Sequence, residues 1–145
     1  SVGAFDAEVE NVPFRFPTAL PGLEDQNILS ADVDPVYAPE LQFNAIARYE
    51  WPALGGMANI LGSFSYSDEY FYNLRNFDAD KFDEYYLLNA RVGWQNDNLD
   101  LSFSVNNITD ERIGIQGFDL ATLCGCNEIS FQPPRWYGVT VRLQY

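Results

Sequence analysis

From Leu41 to Trp51 the side chains alternate with period two. Leu41, Phe43, Ala45, Ala47, Tyr49 and Trp51 are apolar, while Gln42, Asn44, Arg48 and Glu50 between them are polar and Ile46 is the one breach. The same alternation returns four times. Ala58, Ile60, Gly62, Phe64 and Tyr66 oppose Asn59, Leu61, Ser63, Ser65 and Ser67. Tyr86, Leu88, Ala90, Val92 and Trp94 oppose Tyr85, Leu87, Asn89, Arg91, Gly93 and Gln95. Leu99, Leu101, Phe103 and Val105 oppose Asp100, Ser102, Ser104 and Asn106, and Tyr137, Val139, Val141, Leu143 and Tyr145 oppose Trp136, Gly138, Thr140, Arg142 and Gln144. Successive strand residues point to opposite faces of a sheet, so each stretch predicts a strand with one greasy and one polar side. A weaker sixth strand is predicted from Ser1 to about Val9. Helical periodicity is poor throughout. The chain is predicted to be all-β.

The connections alternate as strictly as the side chains do. Pro52-Ala53-Leu54-Gly55-Gly56 and Gln95-Asn96-Asp97-Asn98 are short and rich in Gly and Asn, as hairpin turns are. The other three connections are long, covering residues 10–40, 71–83 and 108–134. All short turns therefore fall at one end of the sheet and all long loops at the other, an asymmetry that membrane barrels show. The strands run to about nine to eleven residues, enough to cross hydrocarbon at a tilt, whereas a strand of a soluble core averages about five or six. Aromatic residues sit at both ends: Trp51, Trp94 and Tyr145 near the short turns, and Tyr66, Tyr70, Tyr85, Tyr86 and Tyr137 toward the loops. Two such girdles are what a bilayer of fixed thickness selects.

Composition narrows the function. The 145 residues, enough for one domain, carry 8 basic and 21 acidic side chains, no His, and a net charge of −13. A phosphate backbone needs a basic footprint that this chain lacks, so no nucleic acid is expected as a partner. Without His, serine and cysteine triads and most zinc sites lose a member, and neither a nucleophile–base pair nor a glycine-rich phosphate loop is present. No enzyme activity and no cofactor are expected. No apolar run reaches the ~18 residues of a membrane helix. Of the 21 carboxylates, 15 fall in residues 11–40, 68–84 and 108–134, which makes the loop end anionic. Such a rim attracts divalent cations and repels anions. Asp78, Asp80, Asp83 and Glu84 cluster, but without the ligand and Gly spacing of a calcium loop.

Three segments carry a family resemblance: L-L-N-A-R-V-G-W, then L-S-F-S-V-N-N-I-T-D-E, then P-R-W-Y-G-V-T-V-R-L-Q-Y. Together with D-P-V-Y-A-P-E-L-Q-F-N-A upstream, they resemble the C-terminal end of a TonB-dependent outer-membrane receptor. Asn106 to Glu111 and the closing strand are its most specific parts, and the likeness covers the chain well from Val36 onward. The resemblance implies an antiparallel transmembrane β-barrel fragment: about six strands of a barrel of about 22, with a plugged lumen. Residues 1–145 would be the C-terminal part of that barrel, with the plug, the TonB-contacting box and the earlier strands absent. It further implies a bacterial outer-membrane transporter for scarce, bulky nutrients such as iron chelates, cobalamin or glycans. Its partners would be the bilayer and lipopolysaccharide, the barrel-assembly machinery, the TonB system acting through the plug, and a small-molecule cargo. Six strands cannot close a barrel unless residues 10–40 hide two more, so Ser1 is read as a truncation.

Three sets of residues are candidates for function. Tyr137, Val139, Val141, Leu143 and Tyr145 form a terminal stripe that alternation alone explains as lipid-facing. It also resembles the C-terminal signal that the assembly machinery reads, by pairing at a strand edge. Arg48, Arg91 and Arg142 each precede a strand-end aromatic by three residues, on the polar face at similar depth. With four-residue turns Arg48 would face Asn59, and Arg91 would face Ser102. They read either as solvated lumen charge or as a basic ladder for an acidic plug surface. Cys124 and Cys126 flank one Gly in the last long loop. There they form either a local disulfide or free thiols, and zinc would need two further ligands from elsewhere. Loop aromatics Phe14, Phe16, Tyr37, Phe71, Tyr72, Phe118 and Phe131 would pack loops together or line a vestibule. Two rival architectures share the alternation: a complete small outer-membrane barrel acting as adhesin or surface protein, and a soluble sandwich. The second requires Leu101, Phe103, Val139 and Val141 to be buried under another protein layer.

Overall fold

A computed structural model describes residues 1–4, 6–15 and 27–144. In chain order its strands are β1 (Val2–Ala4), β2 (Val9–Arg15), β3 (Asn27–Val33), β4 (Leu41–Ala53), β5 (Gly56–Ser67), β6 (Tyr70–Phe71), β7 (Lys81–Phe82), β8 (Tyr85–Gln95), β9 (Leu99–Asn106), β10 (Gly114–Leu120), β11 (Cys126–Phe131) and β12 (Trp136–Leu143). A 3-10 turn, Asp78–Asp80, precedes β7, and a single helical turn, α1 (Ala121–Cys124), joins β10 to β11. The five strongly alternating stretches are β4, β5, β8, β9 and β12, adjacent and antiparallel in one six-stranded sheet of order β1-β4-β5-β8-β9-β12. The predicted strand over residues 1–9 shrinks to the three residues of β1, paired with β4 through Val2 and Phe43.

The long connections are not irregular. β2 and β3 pair antiparallel in a two-stranded sheet, and β6–β7 and β10–β11 form two more. Among the described residues β2 and β3 pair with each other and do not extend the main sheet. Among the described residues β1 and β12 stay at opposite edges, and no closed barrel forms.

Both short turns hold two residues rather than four. Ala53 pairs with Gly56, leaving Leu54 and Gly55 at the tip with φ of 50° and 71°. Two consecutive left-handed residues match the twist of the flanking strands, and Gly adopts that conformation without a Cβ clash. In the β8–β9 turn Asn96 Oδ1 accepts the backbone N–H of Asn98 and of Leu99, each at 2.9 Å, so one side chain closes the loop. The register shifts by two from the expected one: Arg48 faces Leu61, not Asn59, and Arg91 faces Ser104, not Ser102. Pro52 and Ala53 look like turn residues but continue the strand. A shift of two preserves every face. Leu54 pays for its left-handed backbone, so Leu54→Asn is expected to stabilise the hairpin by about 1 kcal/mol, read as a higher urea midpoint of the full chain.

The alternation gives the sheet one apolar side, and among the described residues nothing covers it. Tyr49, Ile60, Val92, Leu101, Phe103, Tyr137, Val139, Val141 and Leu143 share that side and are all exposed, Val139 at 74%. The protein layer that a soluble sandwich needs over Leu101, Phe103, Val139 and Val141 is absent among the described residues. The accessible surface is 10295 Å² for 16.5 kDa, against about 7,600 Å² for a compact monomer of that mass. Among the described residues the buried apolar side chains are Ala58 in the main sheet and Val33, Tyr72, Phe82 and Ile113 outside it.

Candidate functional site

Aromatic rows frame the apolar side. Trp51 and Trp94 lie in one row through Ala58, and Trp94 Nε1 donates to the Ala53 carbonyl at 2.8 Å. Tyr66 and Tyr86 face each other toward the loops, and Tyr137 stacks on Phe103 with ring centroids 6.2 Å apart. Trp94 and Tyr86 are eight residues apart on β8, so the rows stand roughly 26 Å apart along the strand and roughly 20 Å apart in height at a ~40° tilt. Tyr85 and Tyr70 leave the expected girdle: Tyr85 pairs with Ser67 on the polar side, and Tyr70 packs among the loops against Phe82.

On the polar side Arg48, Arg91 and Arg142 line one cavity of about 280 Å³ with Asn59, Leu61, Gln95 and Asp100. Arg48 ion-pairs with Glu50, Arg91 donates to Ser102 Oγ at 3.1 Å, and Arg142 sits opposite Asp100. Arg48 and Arg91 share a row through Leu61, whereas Arg142 lies four residues nearer the turns. The three guanidiniums make this the basic spot of an acidic chain.

The C-terminal stripe of Tyr137, Val139, Val141 and Leu143 lies on β12, an edge strand whose far side is unpaired among the described residues. Tyr145 lies outside the described residues. Cys124 and Cys126 are joined by a disulfide with Cα atoms 5.3 Å apart, at the exposed tip of β10–β11, where Gly125 turns the chain with φ of 66°.

Beyond the loop end of the sheet stands a small folded cap made of β6, β7, the 3-10 turn and the β10–β11 hairpin. Its centre is Phe82, whose ring lies 4.9 Å from Tyr72, 5.3 Å from Tyr70 and 6.5 Å from Tyr37. Tyr72 fits because Gly117 has no side chain: a Cβ there would stand 2.6 Å from the ring. Tyr37 and Tyr72 thus pack loops. Arg112 covers the ring of Phe131 at 4.0 Å, and Phe118 is exposed. Phe16 lies outside the described residues.

Two carboxylates are buried in this cap. Asp80 is 1% exposed, and its Oδ1 accepts Asn127 Nδ2 at 2.9 Å while Oδ2 has no partner among the described residues. Asp119 is buried as well, ion-paired with Arg75 and accepting Asn73 Nδ2 at 3.1 Å. Asn127 also donates to Tyr72 Oη at 3.0 Å, and the Tyr72 hydroxyl donates to the Ala79 carbonyl at 2.8 Å. Burial pushes the Asp80 carboxyl above the ordinary carboxylate range, and the charge of Asp119 pushes it the same way, against smaller opposing effects of Asn127, Tyr72 and Arg75. Among the described residues no three His, Cys, Asp or Glu side chains converge to hold a metal ion. Asp80 and Glu84 part ways: Glu84 accepts from the Tyr66 hydroxyl at 3.0 Å. A separate open cleft of about 440 Å³ gathers Asp6, Glu8, Asp34, Glu40, Asp68 and Glu69, with Lys81 held by Glu69.

The segment Asn106 to Glu111 acquires a physical role. Asn107 is buried with φ of 54°; its Nδ2 donates to the Glu111 carbonyl at 2.8 Å and its Oδ1 accepts the Glu111 N–H at 2.9 Å. Its own N–H donates to Asn89 Oδ1 on β8, and Asp110 accepts the Arg135 N–H just before β12. One short motif therefore ties β8, β9 and the entry to β12 together. Sequence reasoning found the motif but not this knot, whose partners are distant in the chain.

Compared with family models, curated proteins and solved structures, the chain matches none.

Proposed function

We propose that this chain is barrel wall: the C-terminal strands of a TonB-dependent receptor in the bacterial outer membrane. The carrying observation is the exposed apolar side of the sheet, framed by aromatic rows and backed by a polar side. In water, so broad a greasy surface is a liability; against acyl chains it is the stable arrangement. Short turns at one end and long folded loops at the other agree with the periplasmic and extracellular ends of such a wall. Other strands of the same barrel would complete the free edges of β4 and β12, since hydrocarbon does not tolerate unpaired backbone.

In this reading the protein takes up a scarce, bulky nutrient with energy delivered through TonB and a plug. The present residues supply wall, loop surface and, in β12, the edge offered to the assembly machinery. Arg48, Arg91 and Arg142 face the lumen, and the acidic cleft at the loop end favours neutral or cationic cargo over bare anionic chelators.

Spin labels placed singly from Tyr137 to Leu143 in the membrane-embedded protein test the reading. Oxygen collisions should peak at positions 137, 139, 141 and 143, and a water-soluble nickel chelate should reach 138, 140 and 142. Equal nickel access at all seven positions would refute it.

A further inference from the structure

The buried acids of the cap are unexplained by a wall function. Asp80 reaches the interior from the 3-10 turn and Asp119 from β10, and both lose water there. Among the described residues, Tyr72, Asn73 and Arg75 from the segment after β6 and Asn127 from β11 face them. Arg75 is committed to Asp119, and Lys81, next in sequence to Asp80, is held by Glu69 at 2.9 Å. Among the described residues Asp80 Oδ2 has no hydrogen-bond partner. A buried, half-satisfied carboxylate beside a second one is costly as an anion, and a proton removes that cost.

We propose that Asp80, set against Asp119, is a proton-binding switch that closes the loop cap when protonated and loosens it when ionised. Neutral Asp80 still accepts from Asn127 at Oδ1, so β11 stays docked on the 3-10 turn and on Tyr72. Ionised Asp80 places a second buried negative charge near that of Asp119, and separating β10–β11 from β6–β7 lets water reach both carboxylates. Because the folded cap binds this proton more tightly than an unfolded chain does, its stability is highest in acid. That stability falls as pH rises from the ordinary carboxylate value to the raised value of Asp80, and is level above it. The inference rests on the cap alone and holds whatever medium surrounds the sheet.

The test is hydrogen exchange of the full chain, read on peptides covering residues 70–82 and 114–131 and normalised to β8 and β9. Cap protection should fall from acidic to neutral pH relative to β8 and β9, the direction set by the raised Asp80 carboxyl. Asp80→Asn should remove the pH dependence and hold protection at the acid level. Protection equal at both pH values in the unmodified chain overturns the proposal. So does an Asp80→Asn chain that keeps the pH dependence, or a chelator that loosens the cap in acid, which would mean a metal ion. If the Asp80→Asn cap does not form, Asp119→Asn decides: a flattened profile supports the switch and an unchanged one overturns it.

Discussion

If the sheet is barrel wall as proposed, Val139→Arg costs about 2–4 kcal/mol of folded-state stability in lipid and lowers the amount of protein recovered in the membrane. Val139 stands mid-strand on β12, 74% exposed, in a row with Phe103, Val92 and Ile60. On the outside of a water-soluble protein the same substitution would stay within about 0.5 kcal/mol, because an exposed charge costs nothing to hydrate. In hydrocarbon the guanidinium must stay hydrated by thinning the bilayer or snorkelling, and the strand has no nearby polar edge to receive it. Thr140→Arg, one residue on and facing the polar side, is the matched control and should be tolerated. Urea unfolding in lipid vesicles separates the cases: equal midpoints for the two variants would remove the apolar side from the membrane altogether.

Phe82→Ala should open the cap while leaving the sheet intact. Phe82 is 5% exposed and its ring meets Tyr37, Tyr70 and Tyr72, so removing it leaves a cavity at the centre of a very small core at a cost of about 3–5 kcal/mol. Tyr72 against Gly117 and the buried Ile113 remain, but a loss of this size is a large share of the marginal stability of a folded unit. Limited proteolysis should then cut within residues 70–82 and 114–131, while β8 and β9 keep their amide protection. Loss of protection in β8 and β9 as well would show the cap and the sheet to be one cooperative unit.

How far the fold was legible differs between the two halves of the molecule. For β4, β5, β8, β9 and β12 the existence of each strand and the side each residue occupies followed from alternation, since the pleat sends neighbours to opposite faces whatever lies around them. The turn-end limits of β4 and β5 did not. A two-residue slip in the turns went unseen for the same reason: it changes partners, Arg48 to Leu61 and Arg91 to Ser104, without changing faces. The turn length depended on the left-handed backbone at Leu54, a residue type that gives no hint of it.

The cap was not legible. Gly114, Gly117 and Ile113 interrupt any period, and β10 and β11 pack on residues far back in the chain. Asp80 reads as one more acidic loop residue; only the docking of Asn127, Tyr72 and Asp119 around it makes it a buried acid. Cys124 and Cys126 admitted both a bridge and free thiols until the hairpin tip brought their Cα atoms to 5.3 Å.

The amino-acid order by itself thus determined a two-sided antiparallel sheet with its short turns at one end, because period and turn chemistry act over a few neighbouring residues. Only the tertiary structure decided that the apolar side lies bare, that the long loops fold into hairpins with a core of their own, and that two acids are sealed inside it. Those outcomes depend on what meets what across the chain, and burial, unlike alternation, is a property of the partners rather than of the residue.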